Sequence, residues 1–174
     1  ADKWILSRLN RTIQQVDKNL GKYLFGEASA ALYEFTWSEF CDWYIELIKP
    51  RLYQDEDPQA KKTALYMVST VLEKILRLLH PFMPFITEEI WQTLPHAGES
   101  IMVADWPEVD QNQLSDEIEE QMAVVMDITR AIRNIRSEMN VNPGNKIKAI
   151  LHPVQDDRLE IIKTGGNYVM DLAR

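Results

Sequence analysis

Four cations and one aromatic line up along one side of the first 22 residues. At about 100° per residue, Trp4, Arg8, Arg11, Lys18 and Lys22 fall within an arc of roughly 80°, with Gln15 among them and no acid. Cations in a row can hold successive phosphates, and an aromatic ring beside them can take an unstacked base. That is the chemistry of contact with single-stranded RNA loops. The same stripe also fits a solvated helix face, with Trp4 anchoring a helix that would precede this sequence. A second group, Arg130, Arg133 and Arg136, is spaced i, i+3, i+6 and drifts around its helix. Phosphate contact and pairing with Asp127 and Glu138 are both open to it.

Nothing converges for catalysis. The carboxylates of Glu88 and Glu89 point about 100° apart on a helix, which suits an acidic first turn facing the helix dipole better than paired acid–base work. His80 stands before Pro81 at a helix end, His96 is in a polar loop and His152 ends an alternating segment. None has an assignable catalytic partner. Cys41 sits on an apolar arc, where burial raises a thiol's pKa and leaves it inert. Tyr33, Phe35, Trp37, Phe40, Trp43 and Tyr44 could form a stacking platform, but most lie on that arc and are expected in the core. Gly165-Gly166 stands alone and is no phosphate-binding loop. One cysteine and three scattered histidines give no structural metal site. No catalytic or metal-binding residue is expected in this chain.

Helices must position the stripe. Over residues 2–20, Ile5, Leu9, Ile13, Val16 and Leu20 share one arc, and Gly21 is the expected stop. A second helix is predicted from Phe25 to Lys49, ended by Pro50. Its inner arc holds Leu32, Tyr33, Trp37, Phe40, Cys41, Trp43, Tyr44, Leu47 and Ile48, wide enough to touch two neighbours. Asp55, Asp57 and Pro58 mark a turn. The third helix presents Leu65, Val68, Leu72, Ile75, Leu76 and Leu79 and stops or kinks at His80-Pro81. Pro84 opens a short fourth helix through Ile86, Ile90, Trp91 and Leu94, closed by Pro95. Residues 96–112 read as loop, with room for a strand at Ser100–Ala104. A fifth helix runs from the Ser115 cap to Met139, its first turn acidic. Asn142-Pro143-Gly144-Asn145 is a turn, Lys146–His152 alternates as a strand, and Asp156–Lys163 is helical until Gly165-Gly166 breaks it. The expected fold is mainly α: an antiparallel bundle over 1–140 and a small α/β extension over 141–174. The pattern stops at Arg174 without a terminating signal, as in a piece of a longer chain.

With 174 residues, 45% apolar and only six glycines, the chain can bury a helical core, and no run reaches the ~18 apolar residues of a membrane span. A lone cysteine and no leader-like start favour the cytoplasm. The net charge of −8 is unevenly spread. Residues 1–25 carry five bases and two acids, and residues 128–148 five bases and one acid, whereas residues 99–127 carry nine acids and no base. A polyanion site on an acidic protein is therefore open.

Longer strings carry a resemblance. Glu34-Phe35-Thr36-Trp37-Ser38-Glu39-Phe40-Cys41-Asp42-Trp43-Tyr44-Ile45-Glu46, followed by Lys49-Pro50, resembles the anticodon-binding domain of valyl-tRNA synthetases. Leu79-His80-Pro81-Phe82-Met83-Pro84-Phe85-Ile86-Thr87-Glu88-Glu89-Ile90-Trp91 resembles a segment shared by the valyl, leucyl, isoleucyl and methionyl group of class I synthetases. Ala1-Asp2-Lys3-Trp4-Ile5-Leu6-Ser7-Arg8-Leu9 is similar to the first helix of that domain. Ile101–Ala104, Trp106-Pro107 and Arg133-Asn134-Ile135-Arg136 through Asn142-Pro143 also fit the valyl pattern.

The resemblance implies a helical domain that grips the anticodon stem-loop of tRNA(Val). It also implies a parent ligase, monomeric and cytoplasmic, that uses ATP and Mg elsewhere to attach valine, with no DNA or membrane partner. The family's catalytic signatures, of the His-x-Gly-His and Lys-Met-Ser-Lys-Ser types, are absent from these residues, as are its editing domain and C-terminal coiled-coil arm. A helix that helps read the anticodon would precede Ala1. The alternatives are the same domain of an isoleucyl or leucyl enzyme, or a helical protein–protein module docking through Glu34, Asp42 and Glu46.

Overall fold

The computed structural model describes residues 1–53, 57–142, 144–152 and 156–173. Asp55 and Pro143, both expected in turns, lie outside them. The chain divides into two compact units, Ala1–Leu114 and Ser115–Arg174. The division thus falls before the long fifth helix rather than after residue 140.

Unit one is organised by α1 (Asp2–Leu20). Its apolar arc is the expected one: Ile5, Leu9, Ile13 and Val16 are all 0% exposed. Each such burial contributes about 1.5–3 kcal/mol. The chain turns and enters α2 (Phe25–Glu34), a π-helical run (Phe35–Ile45) and α3 (Glu46–Tyr53). These continue one another as a single rod. α1 packs against α2 and the π-helical run, and also against α4 (Pro58–Leu79). Asp57 caps α4 by accepting a hydrogen bond from Ala60 N at 2.9 Å, with Pro58 as the first helical residue. α5 (Pro84–Trp91) follows, as expected from Pro84.

The π-helical run explains why the inner arc predicted for residues 25–49 is only partly right. Bonding from i to i+5 winds the chain less tightly than an α-helix, so a wheel drawn at 100° per residue drifts out of phase. Phe35, Phe40, Trp43 and Tyr44 face inward, and Phe40 and Tyr44 stack with ring centroids 6.0 Å apart. Tyr33 and Trp37, expected inside, stand outside. Pro50 does not end the helix; it lies within α3 between buried Leu47–Ile48 and Tyr53. Leu65 of α4 is likewise exposed, and Ala64, Val71 and Leu78 are buried beside Ile75 and Leu76. Ile86 and Ile90 of α5 face out, and only Trp91 of its expected apolar set is buried.

Two expected strands are not found among the described residues. Ser100–Ala104 holds a 3-10 turn, Ile101–Val103, because the Ser100 hydroxyl accepts from Met102 N at 3.2 Å and offers the backbone a local partner. Lys146–His152 has no ladder, since an alternating segment forms a strand only where another strand pairs with it. The small C-terminal β element is therefore replaced by helix and irregular chain.

Unit two is a helical hairpin of α6 (Asp116–Glu138) and α7 (Asp156–Leu172). Ser115 caps α6 as expected, accepting from Ile118 N at 3.3 Å. α7 runs straight through Gly165-Gly166 instead of breaking there. The reason is close packing: a Cβ at Gly165 would lie 2.6 Å from Val125 Cγ2 of α6.

Candidate RNA interface

α1 carries the first stripe as far as Lys18, with Lys22 in the turn just past its end, and the structure sorts the members. Trp4 is 3% exposed. Its ring packs in the core of unit one and presents no face to a base, which corrects its reading as a stacking residue. Arg8 is half-buried and committed to Glu39 of the π-helical run. Its Nε and Nη2 each donate to a Glu39 oxygen at 2.8 Å, a bidentate pair. The wheel could not show this, because Glu39 is 31 residues away. Arg11 is half-buried too, whereas Lys18 and Lys22 are exposed near the C-terminal end of the helix.

A second clamp holds the N-terminus of α1. Arg51 donates to both oxygens of Asp2, from Nη1 at 2.8 Å and Nη2 at 2.5 Å, and the Tyr44 hydroxyl donates to Asp2 Oδ1 at 3.0 Å. Together the clamps set α1 antiparallel to the rod of α2, the π-helical run and α3. Burial alone would push the Asp2 carboxyl up, but the Arg51 and Tyr44 hydrogen bonds and the Arg51 charge hold it below the ordinary aspartate value. Burial, with the Asp2 charge, pushes the Tyr44 hydroxyl well up, so it stays a donor.

A carboxyl depressed in the folded state stabilises fully above its unfolded value of about 3.9, and loses that contribution as pH falls through the folded value. Asp2→Asn should therefore lower the urea midpoint by a constant amount from pH 7 to about 5, and the gap should narrow below about pH 4. A gap as wide at pH 3 as at pH 7 would show that the carboxylate charge contributes nothing.

The arginines of unit two also diverge. Arg130 is exposed and pairs with Asp127 Oδ1 at 3.1 Å, the pairing its spacing left open. Arg133 donates from Nε to the carbonyl of Leu172 at 2.8 Å, covering the end of α7. Arg136 is 7% exposed, and its Nη2 reaches the carbonyls of Asn142 and Asn145 at 3.0 and 3.2 Å. It ties the Asn142 and Asn145 carbonyls from inside, and its burial corrects its reading as a surface phosphate contact.

The residues considered for catalysis hold structure. Glu88 is not in the first turn of α5. It accepts from Gln92 Nε2 and Ser100 Oγ, both at 2.7 Å, and those hydrogen bonds lower its pKa. His80 Nδ1 shares a hydrogen bond with Thr87 Oγ1 at 2.8 Å. The His96 ring lies over Trp91, centroids 3.8 Å apart. Burial and then the Asp42 charge push the Cys41 thiol up. Sequence reasoning missed Asn10, which is fully buried. Its Oδ1 accepts from Asp110 N at 2.7 Å and its Nδ2 donates to Gln113 Oε1 at 3.0 Å, pinning the loop to α1. It also missed the exposed Tyr23 and Phe25 beside Lys22, for which the only sequence signal was two aromatics in a turn.

Residues 2–151 match the model of the anticodon-binding domain of tRNA ligase. The valine–tRNA ligase of Geobacter sulfurreducens is 52% identical over 177 residues, taking in 100% of this chain and 20% of its own length. That of Geobacillus stearothermophilus is 54% identical over 147 residues, covering 84% of this chain and 17% of its own length. The enzyme of Bacillus thuringiensis subsp. konkukian is 48% identical over 169 residues, covering 97% of this chain and 19% of its own. The chain spans about a fifth of the length of the curated relatives it matches. With a helical core of the expected kind and a family match over most of its length, this chain belongs to the anticodon-binding domains of tRNA ligases.

Proposed function

We propose that this chain is the anticodon-binding domain of a valine–tRNA ligase and holds the anticodon stem-loop of tRNA(Val) while other parts of the parent attach valine. The observation that carries this reading is 48–54% identity to valine–tRNA ligases across nearly the whole chain. The relatives are named for valine, which favours it over the isoleucyl and leucyl alternatives. In this reading Lys18 and Lys22, with Arg11, contact phosphates from unit one, and Arg130, with Arg133, does so from unit two; Arg8 and Trp4 hold the fold of the first unit and Arg136 that of the second. Among the described residues no group of three or more His, Cys, Asp or Glu could hold a metal ion. We assign ATP and Mg chemistry to other parts of the parent, which we take to be a cytoplasmic monomer. No described helix is long and apolar enough to cross a membrane.

The test is aminoacylation by the full-length parent with valine, isoleucine and leucine, each offered its own tRNA. Valine transfer to tRNA(Val) is the expected result. Charging with isoleucine or leucine instead would move the chain to a sister enzyme, and failure to retain any tRNA would favour the protein–protein module. Binding should also weaken with salt, by a log–log slope of about −0.7 per phosphate neutralised on a single-stranded loop.

A further inference from the structure

Two helix ends in this chain close with the same hydrogen-bond pattern but with very different residues at the turning point. After α6, Val141 N donates to Arg136 O at 2.8 Å and Asn140 N to Ser137 O at 3.1 Å, with Asn140 at φ 52°. After α1, Leu24 N donates to Asn19 O and Tyr23 N to Leu20 O, both at 2.9 Å, with Tyr23 at φ 58°. This closure places one residue in the left-handed region, where glycine or asparagine is the usual occupant. Asparagine serves the first. A tyrosine in the second is strained, and strain of this kind gathers where a side chain must be displayed. Gly21, two residues earlier, is not the turning residue, since its φ is −62°.

Among the described residues the Tyr23 side chain packs into no core that would offset that strain. Tyr23 is 81% exposed and its ring meets Phe25, 57% exposed, edge to face with centroids 6.4 Å apart. Its hydroxyl has no hydrogen bond among the described residues. Lys18, in the last turn of α1, and Lys22, just past its end, are both exposed, and neither makes an ion pair among the described residues. The neighbouring Asp17 carboxylate accepts from Trp106 Nε1 at 2.7 Å.

We propose that the α1–α2 turn is a nucleotide-stacking site, in which Tyr23 and Phe25 hold one unpaired base of the bound tRNA while Lys18 and Lys22 take the phosphates beside it. This rests on the tRNA-binding reading above. Exposed aromatic faces beside unpaired ammonium groups are what an unstacked nucleotide requires. Charge separates this turn, where exposed Lys18 and Lys22 offset the exposed Asp17 and Glu27, from the other exposed aromatic pair, Tyr33 and Trp37, whose exposed sequence neighbours Glu34 and Asp42 are both acids. That pair repels phosphate.

The experiment uses the full-length ligase, measuring the tRNA(Val) dissociation constant and melting temperature for Tyr23→Gly, Phe25→Ala, Lys18→Ala and Lys22→Ala. Tyr23→Gly should relax the turn, so the melting temperature holds or rises, while affinity falls about five- to a hundredfold. Phe25→Ala should lose affinity in the same range. Each lysine variant should flatten the salt slope by about 0.7. If the wild type binds tRNA and both aromatic variants bind as well as it does, the stacking site is overturned and the domain's function stands. A lower melting temperature for Tyr23→Gly would mean that the ring braces the fold, and would also overturn it. A wild type that does not bind tRNA overturns the underlying reading.

Discussion

Trp91→Ala is expected to cost about 3–5 kcal/mol, the range for removing a buried aromatic. Trp91 is 1% exposed and forms a satellite core with Leu76 and Ile101, bordered by Leu72, Leu94 and Ala104. It is also polar at its far edge, donating from Nε1 to Glu73 Oε1 at 3.0 Å. Glu73 in turn receives Arg77 at 2.7 Å, and Arg77 donates to the Asp105 carbonyl at 2.7 Å. One ring therefore joins α4, α5 and the loop that follows. Its loss opens a cavity and frees the loop together. Trp91→Phe should cost less, since it keeps most of the apolar contact and gives up one hydrogen bond to a charged acceptor, worth roughly 1.5–3 kcal/mol. At about 2–4 °C per kcal/mol for a chain of this size, Trp91→Ala should lower the melting temperature by on the order of 10 °C. A shift under about 3 °C, or a Phe variant as unstable as the Ala variant, would show that the ring does not bridge these elements.

What the sequence made legible depended on whether the local period held. α1 is a regular α-helix, and its core residues Ile5, Leu9, Ile13 and Val16 were placed correctly. The π-helical run defeated the same method, because its bonding changes the angle per residue within an aromatic string. The basic stripe was legible as a pattern of types but not as a surface. A wheel assigns directions without neighbours, so it could not see that Trp4 packs in the core or that Glu39 holds Arg8. Burial of Arg136 was invisible for the same reason, since the carbonyls that satisfy it belong to a turn formed only once the chain folds back. Caps fared better, because their chemistry is local: Ser115 acts as the expected cap, and Asp57, expected only in a turn, proves to cap α4. The strands failed because pairing is not a local property.

Gly165 and Gly166 should respond to the same substitution with opposite signs. Both lie in the interior of α7, where alanine is favoured over glycine by about 1 kcal/mol. At Gly166 a Cβ would meet nothing within 4 Å, so Gly166→Ala should gain roughly that amount. At Gly165 the new Cβ would lie 2.6 Å from Val125 Cγ2. Val125 is β-branched, 4% exposed and set in α6, so its side chain has essentially one rotamer and no room to turn. The helices must separate instead, and such overpacking costs about 1–3 kcal/mol. The clash outweighs the propensity gain, and Gly165→Ala should be net destabilising by up to about 2 kcal/mol. Trimming the obstacle should reverse the sign: in a Val125→Ala background, Gly165→Ala should be neutral or stabilising by about 1 kcal/mol. Urea melts of the four chains in this cycle, with Gly166→Ala as a fifth, read each step directly. Equal gains at both glycines would mean that the pair is helix filler, whereas a loss at Gly165 alone, cancelled by Val125→Ala, identifies it as the point where α6 and α7 make their closest approach.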